Sequence, residues 1–168
     1  MNADSVDKDV ISGVIDAAKK VSTSEIAIEI ASIMIDICIP LVGGKPCPND
    51  NHFAFAIDKG ILEVCVKLLL RFRDASNSAL FGNLQYLIDS TYGVLVKVKS
   101  SKALVRQCGR VLKAVQRAEV SLASSGDDCK KVLRSIKMVA LLTNGIEYFA
   151  KKICSYCTGY LAKDETTK

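Results

Sequence analysis

A chain of 168 residues is long enough for one domain with a proper core, and 49% hydrophobic with 24% charged residues excludes global disorder. The net charge of +5 hides a division: residues 1–64 carry five basic and ten acidic side chains, whereas residues 65–168 carry eighteen and eight. That asymmetry predicts a basic face in the C-terminal part, set to meet something acidic.

In chain order, residues 6–20 read as a first helix. Val10, Val14, Ala17 and Val21 fall on one side, with Ile11 and Ala18 beside them. Ser22 stands three residues before Glu25, the spacing of a capping box, and a second helix follows from Ser24 to Ile39. The apolar run from Ile26 to Val42 carries Glu29 and Asp36 near its middle and meets Pro40. Two carboxylates are too costly for a spanning helix, so the run reads as a core helix and no membrane span is expected. Val42 to Asn51, with two Gly and two Pro, reads as a loop. His52 to Ala56 then reads as a short first turn of helix, with Phe53 and Phe55 or Ile57 directed at the core.

Ile57 to Arg73, IDKGILEVCVKLLLRFR, is the most apolar helical pattern in the chain. Glu63, Lys67 and Arg71 recur every four residues as one solvent stripe, and the rest of the circumference is apolar, which requires neighbours on more than one side. Asp58 is placed to cap its start, and Asp74, Ser76 and Asn77 break the chain after it. A long helix over residues 78–99 follows, with Leu80, Leu84, Leu87, Ile88, Thr91, Leu95 and Val98 as its stripe. Gly82 and Gly93 within it predict close packing or a kink.

The segment Gly60-Ile61-Leu62-Glu63-Val64-Cys65-Val66-Lys67-Leu68-Leu69, followed by a polar turn and a longer helix, resembles the second helix of an armadillo repeat. The resemblance covers roughly 40 residues, one repeat length. It implies an all-α fold, an armadillo/HEAT-like α-α superhelix of about six helices over residues 1–153. The alternative is an irregular helical bundle. The resemblance also implies that Asn83, or Asn77 in a shifted register, sits on a concave face and grips a ligand backbone.

Residues 102–123 carry the most informative surface pattern. Lys102, Arg106, Arg110, Lys113 and Arg117 follow at spacings of four, four, three and four, so they share one face, with Leu104, Cys108, Val111, Val115 and Leu122 on the other. After a turn at 124–128, with Asp127 as cap, the last helix carries a second basic stripe of Lys130, Lys131, Arg134 and Lys137. If the two helices are antiparallel neighbours, the stripes merge into one basic patch. Such a patch suits an acidic protein or peptide first, and phosphate groups or nucleic acid second. No aromatic residue is interleaved with the cations and no nucleic-acid motif accompanies them.

The seven cysteines are an odd number, the opening MNADSVDKD is polar rather than a signal peptide, and Cys38, Cys65 and Cys108 lie in apolar stretches. They read as reduced core residues of a cytoplasmic or nuclear protein rather than a disulfide scaffold. Cys154-Ser155-Tyr156-Cys157 is a C-x2-C pair opening a polar tail, residues 154–168. It resembles the start of a MYND-type zinc finger, of which only Cys154 and Cys157 are matched. The resemblance implies an incomplete metal site, no cofactor held by this chain alone, and zinc only if a second pair follows Lys168, since a structural site needs four ligands. The chain is then the N-terminal part of a longer protein or a truncated relative. The other readings are a pair with no function and a redox pair, the latter opposed by the negative end of the preceding helix.

Nothing in the sequence assembles an active site. His52 is the only histidine, with Cys47 and Asp50 too few to complete a metal or nucleophile set, and Gly43-Gly44-Lys45-Pro46 lacks the spacing of a phosphate loop. The expected function is therefore non-enzymatic: a protein-binding scaffold or adaptor domain acting through Lys102, Arg106, Arg110, Lys113, Arg117, Lys130, Arg134 and Lys137.

Overall fold

The computed structural model describes residues 3–95 and 102–141. Helices α1 (Ala3–Lys19) and α2 (Ser24–Cys38) are followed by a two-stranded hairpin, β1 (Leu41–Val42) and β2 (Lys45–Pro46). Then come α3 (Asp50–Asp58), α4 (Ile61–Arg71), a 3-10 turn (Ala75–Asn77), α5 (Ser78–Leu95), α6 (Lys102–Ser121) and α7 (residues 127–141). The described residues form an all-α fold apart from that hairpin. No helix among the described residues is long and apolar enough to cross a membrane.

Four local readings are corrected. The helix α2 is capped by Thr23, whose Oγ1 accepts from the Ile26 N–H at 3.4 Å, so the cap lies one residue later than Ser22. Glu25 then falls in the first turn, where its charge favours the positive end of the helix. The face of α1 is also turned by one residue: Ile11, Ile15 and Ala18 are buried while Val10 is 44% exposed, the larger isoleucines taking the core.

The loop at 42–51 is shorter than its composition suggests. Leu41 pairs with Pro46 and Val42 with Lys45, and the two linking residues, Gly43 and Gly44, both have positive φ, as a two-residue primed turn requires. Helix α3 already starts at Asp50, because the Asn49 side chain accepts from the N–H groups of Asn51 and His52, each at 3.1 Å.

The segment Ile57 to Arg73 is not one helix. Lys59 and Gly60 separate α3 from α4, and Gly60 has φ +94°, a left-handed conformation that stops α3 and opens α4 at a new angle. Asp58 thus ends α3 rather than capping α4, whose first residue follows Gly60 with no side-chain cap. Phe53 and Ile57 on one side of the break, and Ile61 and Leu62 on the other, are all buried.

Two helix pairs frame the core. In the first, α4 and α6 run side by side in the same direction. Gly60 approaches Gln107 at one end, and the Arg73 Nη1 donates to the Ser121 carbonyl at 3.3 Å at the other. In the second, α2 and α5 also run in the same direction. Asn83 donates to the Ile28 carbonyl and the Ser32 hydroxyl near their starts, and Met34 and Cys38 lie with Leu87, Ile88 and Thr91 further along. The helix α7 turns back antiparallel to α6, with Lys137 against Glu119 and Leu133 near Leu122, and joins α5 through a Gln85 to Ser135 hydrogen bond. α3 packs against both α4 and α6 from inside. A single core joins the seven described helices, with Ile15, Met34, Phe53, Leu69, Leu84, Val115 and Ile136 at most 1% exposed. Gly82 faces open space rather than a close neighbour, and the expected continuation of α5 past Leu95 lies outside the described residues.

Candidate interaction surface

The α6 row is placed by simple helix arithmetic. Gln107, Cys108, Val111, Val115 and Ala118 turn inward and are buried, which leaves Arg106, Arg110, Lys113 and Arg117 outward and exposed. Lys102 opens α6, and its side chain lies outside the described ones. Because α4 lies alongside, three of these cations form one wall of an open groove of about 440 Å³. Arg110, Lys113 and Arg117 come from α6, Lys67 and Glu63 from α4, and Val66, Leu70 and Ala114 supply apolar surface between them. Among the described residues none of the four cations is ion-paired, and Glu63 is the one carboxylate lining the groove.

The α7 row lies elsewhere. Lys130 and Arg134 line a second groove of about 320 Å³ with Glu119, Leu122, Ala123 and Leu133. Lys137 pairs with Glu119 at 2.6 Å. Glu119 is two residues past Arg117 and so sits about 160° around α6 from it. The α7 cations therefore flank the opposite side of α6 from Arg110 and Arg117, and the two stripes do not merge into one patch. Antiparallel neighbours they are, but the inward face of α6 separates its outward row from the flank that α7 covers. Lys131 and Arg134 also line a cleft of about 650 Å³ with Asp89, Asp127 and Asp128, where acidic side chains offset them.

Lys67 is the member that sequence reading missed as a site residue. It was legible only as part of the α4 solvent stripe. The link to the α6 row is the near-constant difference of 47 to 48 between facing positions, Gly60 with Gln107 and Arg73 with Ser121, which only the packed structure reveals.

The remaining candidates are placed as follows. Asn83 spends its amide nitrogen on α2, and the Asn77 Nδ2 donates to the Phe72 carbonyl at 3.0 Å, closing the end of α4. Neither offers that group to a ligand backbone. His52 is no loop residue: it is 6% exposed in the first turn of α3, with Nδ1 3.0 Å from the Ile37 carbonyl. A carbonyl only accepts, so Nδ1 carries the proton and caps the end of α2. Its Nε2 lies 3.4 Å from the Asp7 carboxylate. Both ring nitrogens are thus turned to α2 and α1 rather than to Cys47 and Asp50. Among the described residues no group of three or more His, Cys, Asp or Glu is placed to hold a metal ion. Cys154 and Cys157 lie outside the described residues.

The cysteines separate by exposure. Cys38, Cys65, Cys108 and Cys129 are buried and Cys47 is exposed. Burial raises the Cys38 and Cys65 thiols to about 12 and shifts Cys129 in the same direction. A raised pKa suppresses the reactive thiolate at neutral pH. In native protein at pH 8, an alkylating reagent is expected to label Cys47 promptly. Cys38 and Cys65 are expected to react only after denaturation, as peptide mapping by mass spectrometry would show. Prompt native labelling of Cys65 would contradict the core described above.

Compared with protein-family models, with curated proteins and with solved structures, the chain matches none of them.

Proposed function

We propose that this chain is a non-enzymatic interaction domain, built as stacked helical hairpins in the armadillo/HEAT manner, whose basic face binds an acidic protein segment. The observation that carries the reading is the gathering of Lys67, Arg110, Lys113 and Arg117 around one groove, with Glu63 as the opposing charge. Like charges held on one face cost a helix a few tenths of a kcal/mol per pair, a loss that an acidic guest would return. The repeat architecture is supported by the same-direction pairs α4 with α6 and α2 with α5, and by the short α3 preceding α4 and α5 as a first helix precedes two longer ones in an armadillo repeat.

The test is binding of a fluorescent Glu/Asp-rich peptide to the full chain, followed by anisotropy at rising salt. Affinity is expected to fall steeply with ionic strength, as for exposed charges beyond a Debye length of about 10 Å at 0.1 M. Changing Arg106, Arg110 and Arg117 together to Glu is expected to abolish binding while the helical circular dichroism is unchanged. Binding that survives the triple reversal would reduce this face to a solvated surface.

A further inference from the structure

The α4–α6 groove is more than a charged surface, because its floor is apolar. Val66 and Leu70 on α4 stand one helical turn apart, and Ala114 faces them from α6. Leu70 and Ala114 are only half-buried. A site for phosphate or a plain polyanion has no use for such a floor, since water must leave it before the guest's charges meet the rims. The rims are cationic on both sides, Lys67 on α4 and Arg110, Lys113 and Arg117 on α6.

The two walls keep step along their length. They meet at Gly60 and Gln107, and again at Arg73 and Ser121, so the residues between run for about 20 Å at the helical rise. Two helices side by side leave a cleft on each of their faces. On the inner face of this pair that cleft is taken by a helix, since α3 packs against both α4 and α6. The outer cleft has the same two walls and no helix of the described chain in it.

From these observations we infer that the outer α4–α6 cleft receives one amphipathic acidic helix of a partner protein, about four turns long. The inference rests on the acidic-partner reading above and names the class of segment. The guest lays an apolar row, recurring at three and four residues, over Leu70 and Ala114, beneath which Val66 is buried. Its flanking Asp and Glu side chains reach Lys67 on one rim and the α6 cations on the other. The length of the cleft selects the shallow, roughly 20° class of ridge-into-groove crossing, with the guest close to the direction of the walls.

The experiment uses the full chain and three labelled peptides of equal length. One has Leu and Glu arranged to give a single apolar helical face, one has the same composition scrambled to destroy that face, and one is oligo-Glu. The patterned peptide is expected to bind at least about tenfold tighter than the scrambled one and to gain helical circular dichroism on binding. Leu70→Gln, or Ala114→Gln if the first variant loses thermal stability, removes apolar floor without adding charge and is expected to remove that advantage while oligo-Glu binding stays as it was. Equal affinity for patterned and scrambled peptides overturns the helical guest but leaves the acidic-partner reading in place. Absence of binding by all three overturns both. Tighter binding of a single-stranded oligonucleotide than of the patterned peptide also overturns the proposal, in favour of a phosphate backbone.

Discussion

Phe53→Ala is expected to destabilise the domain by about 3–5 kcal/mol, the range for removing a buried aromatic ring. Phe53 is 1% exposed and stands where four helices converge, among Met34 and Cys38 of α2, Leu62 and Cys65 of α4, and Leu87 and Ile88 of α5. The surrounding side chains belong to different helices packed in one core, so the site closes poorly around the hole and the cavity cost adds to the lost transfer energy. For a domain of this size the melting temperature should fall on the order of 10 °C. Phe55 is the built-in comparison. Two residues along, its ring is only half-buried at the edge of the core, with the Lys8 and Lys59 ammonium groups 5.8 Å and 5.3 Å from its centroid. Its truncation is expected to cost clearly less than that of Phe53, since only part of the ring leaves water and the two cation–π contacts add about 0.5–1 kcal/mol each at most. Equal losses at the two positions, measured by urea unfolding, would mean that α3 is turned differently from the description above.

The second large effect is expected at the break between α3 and α4. Gly60→Val should cost about 2–3 kcal/mol, from a left-handed backbone that a β-branched residue resists. Space compounds the strain: a Cβ at Gly60 would stand 3.1 Å from the Gln107 Nε2, and Gln107 is itself only 6% exposed. The side chain that must yield therefore belongs to α6, and the change should be felt in the spacing of the two basic walls as well as in stability. Gly60→Ala should show a smaller loss of the same sign, because the methyl group meets the same backbone without the branched bulk. Unfolding midpoints for the two variants check the order. A neutral Gly60→Val would show that the break is not left-handed.

The helices and their outward charges were legible because both rest on short-range periodicity. Burial of Val111, Val115, Val132 and Ile136, and exposure of Arg106, Arg110 and Arg134, follow from counting along one helix. Breaks were harder to read. Gly60 lies inside a continuous apolar pattern, and periodicity does not reveal a positive φ; only the steric allowance of glycine hints at it. The hairpin at 41–46 was hidden for the opposite reason, its strands being two residues each and exposed, so no alternation develops. Least legible was the pairing of Lys67 with the α6 row, since proximity between elements some 47 residues apart is a property of helix packing. The same limit misplaced the α7 row: the spacing of Lys130, Arg134 and Lys137 names a face, while the Glu119–Lys137 contact tells which flank of α6 that face adjoins.

The clasp of Arg73 on Ser121 makes the two ends of the α4–α6 pair mechanically unequal. One end is held by an exposed charged donor on a terminal oxygen, an attraction that dissolved ions dilute. The other is a bare abutment of Gly60 on Gln107, steric in origin and indifferent to electrolyte. In brine the Arg73 side chain should come loose at its end while the shared core, Leu69 and Val115 among it, keeps the two rods together.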